Sequence, residues 1–158
     1  MAGCGTSGIG VYVEVSDAEP VDMTPSTLNA LNYTEVGHTL NFPQFGGEAA
    51  TISNTPMKTG EECKTPGSIN WGQLALNALY IDEEAGHAIL QSAFSGALKG
   101  LNLVYKVYYP NGAVRFLRGY NGSYKENPGD SSSQIMMDAL IELNYQPVYL
   151  TVAGYAAL

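Results

Sequence analysis

Positive charge is scarce in this chain: seven lysines and arginines stand against fifteen aspartates and glutamates, for a formal net charge of −8. Gripping nucleic acid requires a basic patch that displaces counterions from phosphates, so this balance argues against binding DNA or RNA and for repelling it. Long hydrophobic runs are missing too. No apolar stretch approaches the roughly 20 residues of a membrane-spanning helix, and the first residues have neither the basic start nor the apolar run of a secretion signal. The expectation is a chain made and kept in a cytosol, without membrane insertion. Cysteine is limited to Cys4 and Cys63, with no CxxC spacing and no neighbouring histidine, which argues against zinc or a redox pair and for free thiols. With two histidines, His38 and His87, and no serine or cysteine in a nucleophile context such as G-x-S-x-G, nucleophilic catalysis has no support, and no cofactor is expected.

What the chain does have is a globular composition. Its 158 residues suit one ordinary domain, residues 1–158, and 45% hydrophobic residues with eleven tyrosines can fill a core. Residues 9–15 alternate as a strand, and Pro, Asp and Ser signals mark a loop over 17–25. Residues 28–41 are ambiguous. A second strand follows at 48–53, and then 55–68 forms a long polar loop with no periodicity; such loops are either functional or tolerated surface insertions.

Strand character resumes over 69–81. Asp82 then supplies a helix cap, and Glu83 and Glu84 an acidic first turn. In that helix Ile89, Leu90, Ala93, Phe94 and Ala97 share one arc, and Glu84, Gln91, Ser92, Ser95 and Lys99 the other, which places it on the protein surface, ending at Gly96 or Gly100. Residues 101–109 and 113–124 are two strands joined by Pro110, Asn111 and Gly112: Pro presets φ, Asn tolerates the bridge region and Gly accepts positive φ. After a loop at 127–133, a long strand starts at Gln134. It puts Gln134, Met136, Asp138, Leu140, Glu142 and Asn144 on one side, and Ile135, Met137, Ala139, Ile141, Leu143 and Tyr145 on the other. Pro147 bends or ends it before residues 148–152. The expected fold is mainly β, a two-sheet β-sandwich or open barrel with one flanking α-helix.

Candidate chemistry is thin. Gly3, Gly5 and Gly8 match G-x-G-x-x-G, but that motif cradles a pyrophosphate only between a strand and a helix; here it precedes a strand, and residues 1–8 read as a flexible arm. Glu84 and His87 lie three apart on the helix, yet no second Glu-x-x-His helix completes a metal site; His87 reads as an ordinary, partly exposed histidine. Asp138 and Glu142, four apart on one strand face, are separated by about 13 Å, too far for a glycosidase pair. The polar strand face either simply meets water or lines a wide closed assembly in which each subunit's edges pair with a neighbour's and the inner face is acidic.

The segment Val104-Tyr105-Lys106-Val107-Tyr108-Tyr109-Pro110-Asn111-Gly112-Ala113-Val114-Arg115-Phe116-Leu117-Arg118-Gly119-Tyr120 resembles the hairpin of tail tube (major tail) proteins of long-tailed, siphovirus-like bacteriophages. The order of elements around it, a long polar loop, a strand, a short surface helix, this hairpin and a final strand, extends the resemblance over residues 36–149. The immunoglobulin-like C-terminal domain that some members carry is not expected here. The resemblance implies a structural virion protein, not an enzyme, assembling as a homo-oligomer of hexameric rings stacked into a tube with a β-barrel-lined bore. Phage DNA passes through the lumen without specific binding, and tape-measure, tail terminator and tail-tip proteins are the implied partners, with assembly in the host cytoplasm and residence in the virion tail. Asp138 and Glu142, and more weakly Glu48, become lumen-facing candidates, and Lys58, Glu61, Glu62 and Lys64 ring-stacking candidates. Two rivals stand beside this. One is a monomeric β-sandwich module binding carbohydrate or peptide through Tyr105, Tyr108, Tyr109 and Tyr120. The other is a related ring protein: a tail terminator, or the inner tube of a contractile tail or secretion machine.

Overall fold

The computed structural model describes Gly5 and residues 7–158. Gly3, Cys4 and Thr6 of the G-x-G-x-x-G stretch therefore lie outside the described residues. Ten strands and three helices follow in the order β1 (Tyr12–Ser16), α1 (Pro25–Asn29), β2 (Tyr33–Val36), β3 (Thr39–Asn41), β4 (Glu48–Asn54), β5 (Cys63–Asn70), β6 (Gln73–Leu79), α2 (Ala85–Ser95), β7 (Leu103–Tyr108), β8 (Val114–Asn127), β9 (Met136–Leu143), β10 (Val148–Leu150) and α3 (Val152–Ala156). The fold is mainly β, with two sheets. Eight strands make an open sheet along β2-β1-β7-β8-β9-β6-β3, with β10 beside the start of β8, and β4-β5 form a separate ribbon.

The principal core lies on one face of the large sheet. Alternation delivers Val13 and Val15 from β1, Leu74, Leu76 and Ala78 from β6, Leu103, Tyr105 and Val107 from β7, and Met137, Ala139, Ile141 and Leu143 from β9 to that face, under Leu90 and Ala93 of α2. The long β8 lets one strand pair β7 and β10 along its first part and β9 along its second. Gly119 sits where β8 and β9 approach closely: a Cβ there would collide with the Glu142 backbone carbonyl. The opposite face divides in two. Over β1, β7 and the start of β8 it is roofed by α1 and α3, which pack Leu28 and Tyr155 against Val104, Val114 and Phe116. Over β6, β9 and the end of β8 it is bare.

The hairpin between β7 and β8 turns as its residues dictate. Gly112 takes φ +93°, its N–H donates to the Tyr109 carbonyl at 2.9 Å, and Asn111 Oδ1 accepts from the Ala113 N–H at 3.0 Å. Several expectations need correction. The long polar loop is shorter than 55–68: from Cys63 onward it is strand β5, paired with β4. The stretch lacks periodicity because a strand exposed on both faces carries no hydrophobic alternation to read, and a ribbon edge tolerates Pro66. Residues 69 and 70 belong to that ribbon, and β6 begins only at Gln73. Asp82 does not cap α2; it accepts a hydrogen bond from the Tyr80 hydroxyl at 2.9 Å, and Glu84 is the N-cap, so the acidic residues precede the first turn instead of filling it. His87 is 3% exposed, not partly exposed, with Nε2 3.1 Å from the Gly37 carbonyl oxygen. Phe94, placed on the buried arc, is exposed. Residue 152, expected at the end of the last strand, opens α3, where Thr151 Oγ1 accepts from the Gly154 N–H at 3.1 Å.

Candidate functional site

The polar side chains on the bare half of the sheet line up because β6 and β9 alternate in step. Opposite the buried Leu74, Leu76 and Ala78, the outward positions are Gln73, Ala75, Asn77 and Leu79; on β9 they are Met136, Asp138, Leu140 and Glu142. Register puts Gln73 across from Glu142 and Asn77 across from Asp138. Each carboxylate accordingly accepts from an amide: Gln73 Nε2 donates to Glu142 Oε1 at 2.7 Å, and Asn77 Nδ2 donates to Asp138 Oδ1. On the other side of β9, Tyr120 faces Glu142 and Lys125 faces Asp138.

Asp138 and Glu142 thus share one outward face, as their spacing requires. Glu48, at the root of the β4-β5 ribbon, lines with Gln73 and Glu142 an open polar groove of about 710 Å³, so all three acidic candidates border one surface. Sequence reasoning missed the amide partners and Lys125. Gln73 and Asn77 were visible as the polar half of an alternating strand, but Lys125 reaches this face through a register shift between Asn121 and Ser123, which switches the parity of β8. Asn121 itself turns inward, donating from Nδ2 to the Leu90 carbonyl at 2.7 Å.

The ribbon is the second feature. β4 is exposed along its whole length and β5 at every position but Gly67. A lone two-stranded ribbon is marginal in water, and its unpaired edges invite another chain. Lys58, Glu61, Glu62 and Lys64 gather at its tip and the start of β5, all exposed. Glu62 accepts from the Ser53 hydroxyl and lies 3.9 Å from Lys64 Nζ. Met57 at the tip is fully exposed, and the thiol of Cys63 is free and exposed.

Tyr105 and Tyr108 are not free to serve a binding platform. Tyr105 is fully buried in the core, and burial drives its phenol far above the ordinary range. Tyr108 stacks on Tyr12 with ring centroids 4.5 Å apart and belongs to a cage around Lys106. That lysine is only 4% exposed. Its Nζ donates to Tyr155 Oη at 2.8 Å and to Asn29 Oδ1 at 3.2 Å, and lies 4.7–5.6 Å from the ring centroids of Tyr33, Tyr108, Phe116 and Tyr155. Burial pushes the Tyr155 phenol up, but hydrogen bonds from Lys106 and Tyr108 and the ammonium charge outweigh it and set it below 10.0. Tyr108, desolvated and hydrogen-bonded to Tyr155, is shifted the other way. Among the described residues no group of three or more His, Cys, Asp or Glu side chains could hold a metal ion, and no helix is long and apolar enough to cross a membrane.

Glu84 and His87 do not converge on one site. Glu84 Oε1 pairs with His38 Nδ1 at 3.2 Å, while His87 faces Gly37, so both histidines pin the β2–β3 turn to the start of α2.

No family model matches the sequence, and no curated protein matches it. Solved structures do share the fold. A chain of the sheath/tube terminator of the PVC extracellular contractile injection system superposes with a TM-score of 0.70 at 9% identity, covering 96% of this chain and 100% of that one. A chain from the tail of an empty gene transfer agent particle, solved with C6 symmetry, gives 0.66 at 10% identity over 93% of this chain and 100% of that one. The SPP1 tail tube gives 0.65 at 10% identity over 92% and 79%. The chain therefore has the fold seen in tail-tube and tube-terminator proteins, and the likeness does not single out long-tailed phages.

Proposed function

We propose that this chain is the tube subunit of a long-tailed phage: copies close into hexameric rings that stack into the tail tube, the conduit through which DNA leaves the capsid. The observation that carries this is the bare polar half of the large sheet beside an uncovered ribbon, in a fold shared with tail-tube chains. The ribbon's free edges offer pairing partners to neighbours, and the bare half supplies the wall of a bore. That wall carries carboxylates already hydrogen-bonded by amides, Asp138 to Asn77 and Glu142 to Gln73, with Glu48 at its border and Lys125 as a cation opposite Asp138. DNA released past such a surface finds few cations to exchange for its counterions, and the net negative field keeps it moving. The role is structural, with no chemistry of its own. Tape-measure, terminator and tail-tip proteins are the partners, the virion tail its location and the host cytoplasm its place of assembly.

Negative-stain electron microscopy of the concentrated chain tests this, with hollow tubes expected; a chain that stays monomeric at high concentration would refute it. The double variant Asp138→Lys/Glu142→Lys should still form rings and tubes, because both side chains are outward, yet slow or block DNA ejection. Normal infectivity would remove these residues from the bore. The terminator likeness at 9% identity supports one second reading, a ring that closes the end of a tube. Single rings without tubes in the same images would favour it.

A further inference from the structure

The ribbon ends in a side chain that belongs in an apolar setting. Met57 is fully exposed, flanked by Pro56 and followed by Glu61 and Glu62. On the body of the same chain lies a cleft of about 490 Å³ walled by Val11, Phe42, Phe45, Val107, Tyr109 and Tyr149. At its edge Arg115 is clasped between the rings of Tyr109 and Tyr149, 4.9 and 5.1 Å from their centroids. Its Nη1 donates to the carbonyls of Val114 and Leu150 at 3.1 and 3.0 Å. Among the described residues no carboxylate lies within 4.0 Å of that guanidinium, and none of the cations pairs with Glu61. Tip and cleft are therefore complementary in kind and in order: a flexible thioether then two carboxylates, against an aromatic-walled hollow then an unneutralised cation.

They cannot meet within one chain. Phe45 lies just before the ribbon's root, and the seven residues of β4 carry the tip roughly 20 Å away from it. We infer that the ribbon tip of one copy seats Met57 in the aromatic cleft of another copy, bringing Glu61 and Glu62 to Arg115. Donor and acceptor are different surfaces, so the contact is heterologous and propagates from copy to copy, which suits a stack. This rests on the tube proposal and names the acceptor for the ribbon.

The test is a disulfide between two differently marked chains, both carrying Cys4→Ser and Cys63→Ser. One also carries Thr59→Cys, beside Met57 at the exposed tip, and the other Gln44→Cys, an exposed position on the cleft rim. Both sites are exposed, so neither variant perturbs the core. Mixed, assembled under tube-forming conditions and mildly oxidised, the pair should give interchain disulfide at least roughly tenfold above a control pair in which Ser132→Cys replaces Gln44→Cys, because docking holds the thiols at high local concentration. Tubes that form normally with no excess of the Thr59–Gln44 product would overturn the inference and leave the tube proposal standing. Absence of tubes from the unsubstituted chain would overturn both.

Discussion

Lys106 gives the sharpest test of how the sheet's roofed half is held. Its ammonium makes two hydrogen bonds, to Tyr155 Oη and Asn29 Oδ1; bonds to charged groups contribute about 1.5–3 kcal/mol each. Its aromatic cage, desolvated as it is, adds about 2 kcal/mol. Against these stands the cost of desolvating an ion, several kcal/mol at 4% exposure. The terms nearly cancel, and Asn29 and Tyr155 both keep some solvent access, so neither is stranded when the ammonium goes. Lys106→Met keeps the stem's volume and should therefore cost only about 1 kcal/mol. Lys106→Ala opens a cavity under Phe116 and Tyr108 and should cost about 2–4 kcal/mol more. Urea denaturation of the two variants measures the difference. In Lys106→Met the Tyr155 phenol should also titrate higher, since its burial remains while the cation that lowered it is gone. Equal damage from Met and Ala would mean that the ion and not the packing holds α1 and α3 to the sheet.

Alkaline pH should destabilise the fold steeply. Tyr33 and Tyr105 are raised by burial far above 10.0 and Tyr124 by burial to about 12; groups so raised contribute stability present below pH 10 and lost as pH climbs through their folded values. Tyr155, lowered, works in the opposite direction but alone. Denaturation midpoints should fall from pH 10 upward, and a flat profile to pH 12 would contradict the burial of these phenols. Gly119→Ala should cost about 1–3 kcal/mol or more by forcing β8 from β9, seen as a lower thermal midpoint with loss of amide protection in both strands. Replacing residues 55–62 by an Asn-Gly turn between the paired Asn54 and Cys63 should leave the denaturation midpoint unchanged, because nothing in that tip is buried, while sedimentation shows lost polymerisation.

Neighbours along the chain already dictate part of this architecture. The turn at Pro110, Asn111 and Gly112, the two faces of β9 and the inward set Leu103, Tyr105 and Val107 follow from period-two alternation and the φ preferences of three residues. Helix α1 was legible in principle, since Asp22 Oδ1 accepts from the Thr24 N–H at 3.0 Å just before Pro25 opens the helix. Folding supplied the rest. It converted the polar stretch after Glu62 into a strand, because a ribbon open on both faces needs no alternation. It buried Lys106 and His87, whose partners Tyr155 and Gly37 lie 49 and 50 residues away. It set Asn77 against Asp138 across 61 residues and turned Lys125 onto their face through a shift in register. Side-chain direction is a local property of a strand, whereas pairing, register and burial are set by contacts between distant segments, and those contacts exist only once the chain has folded.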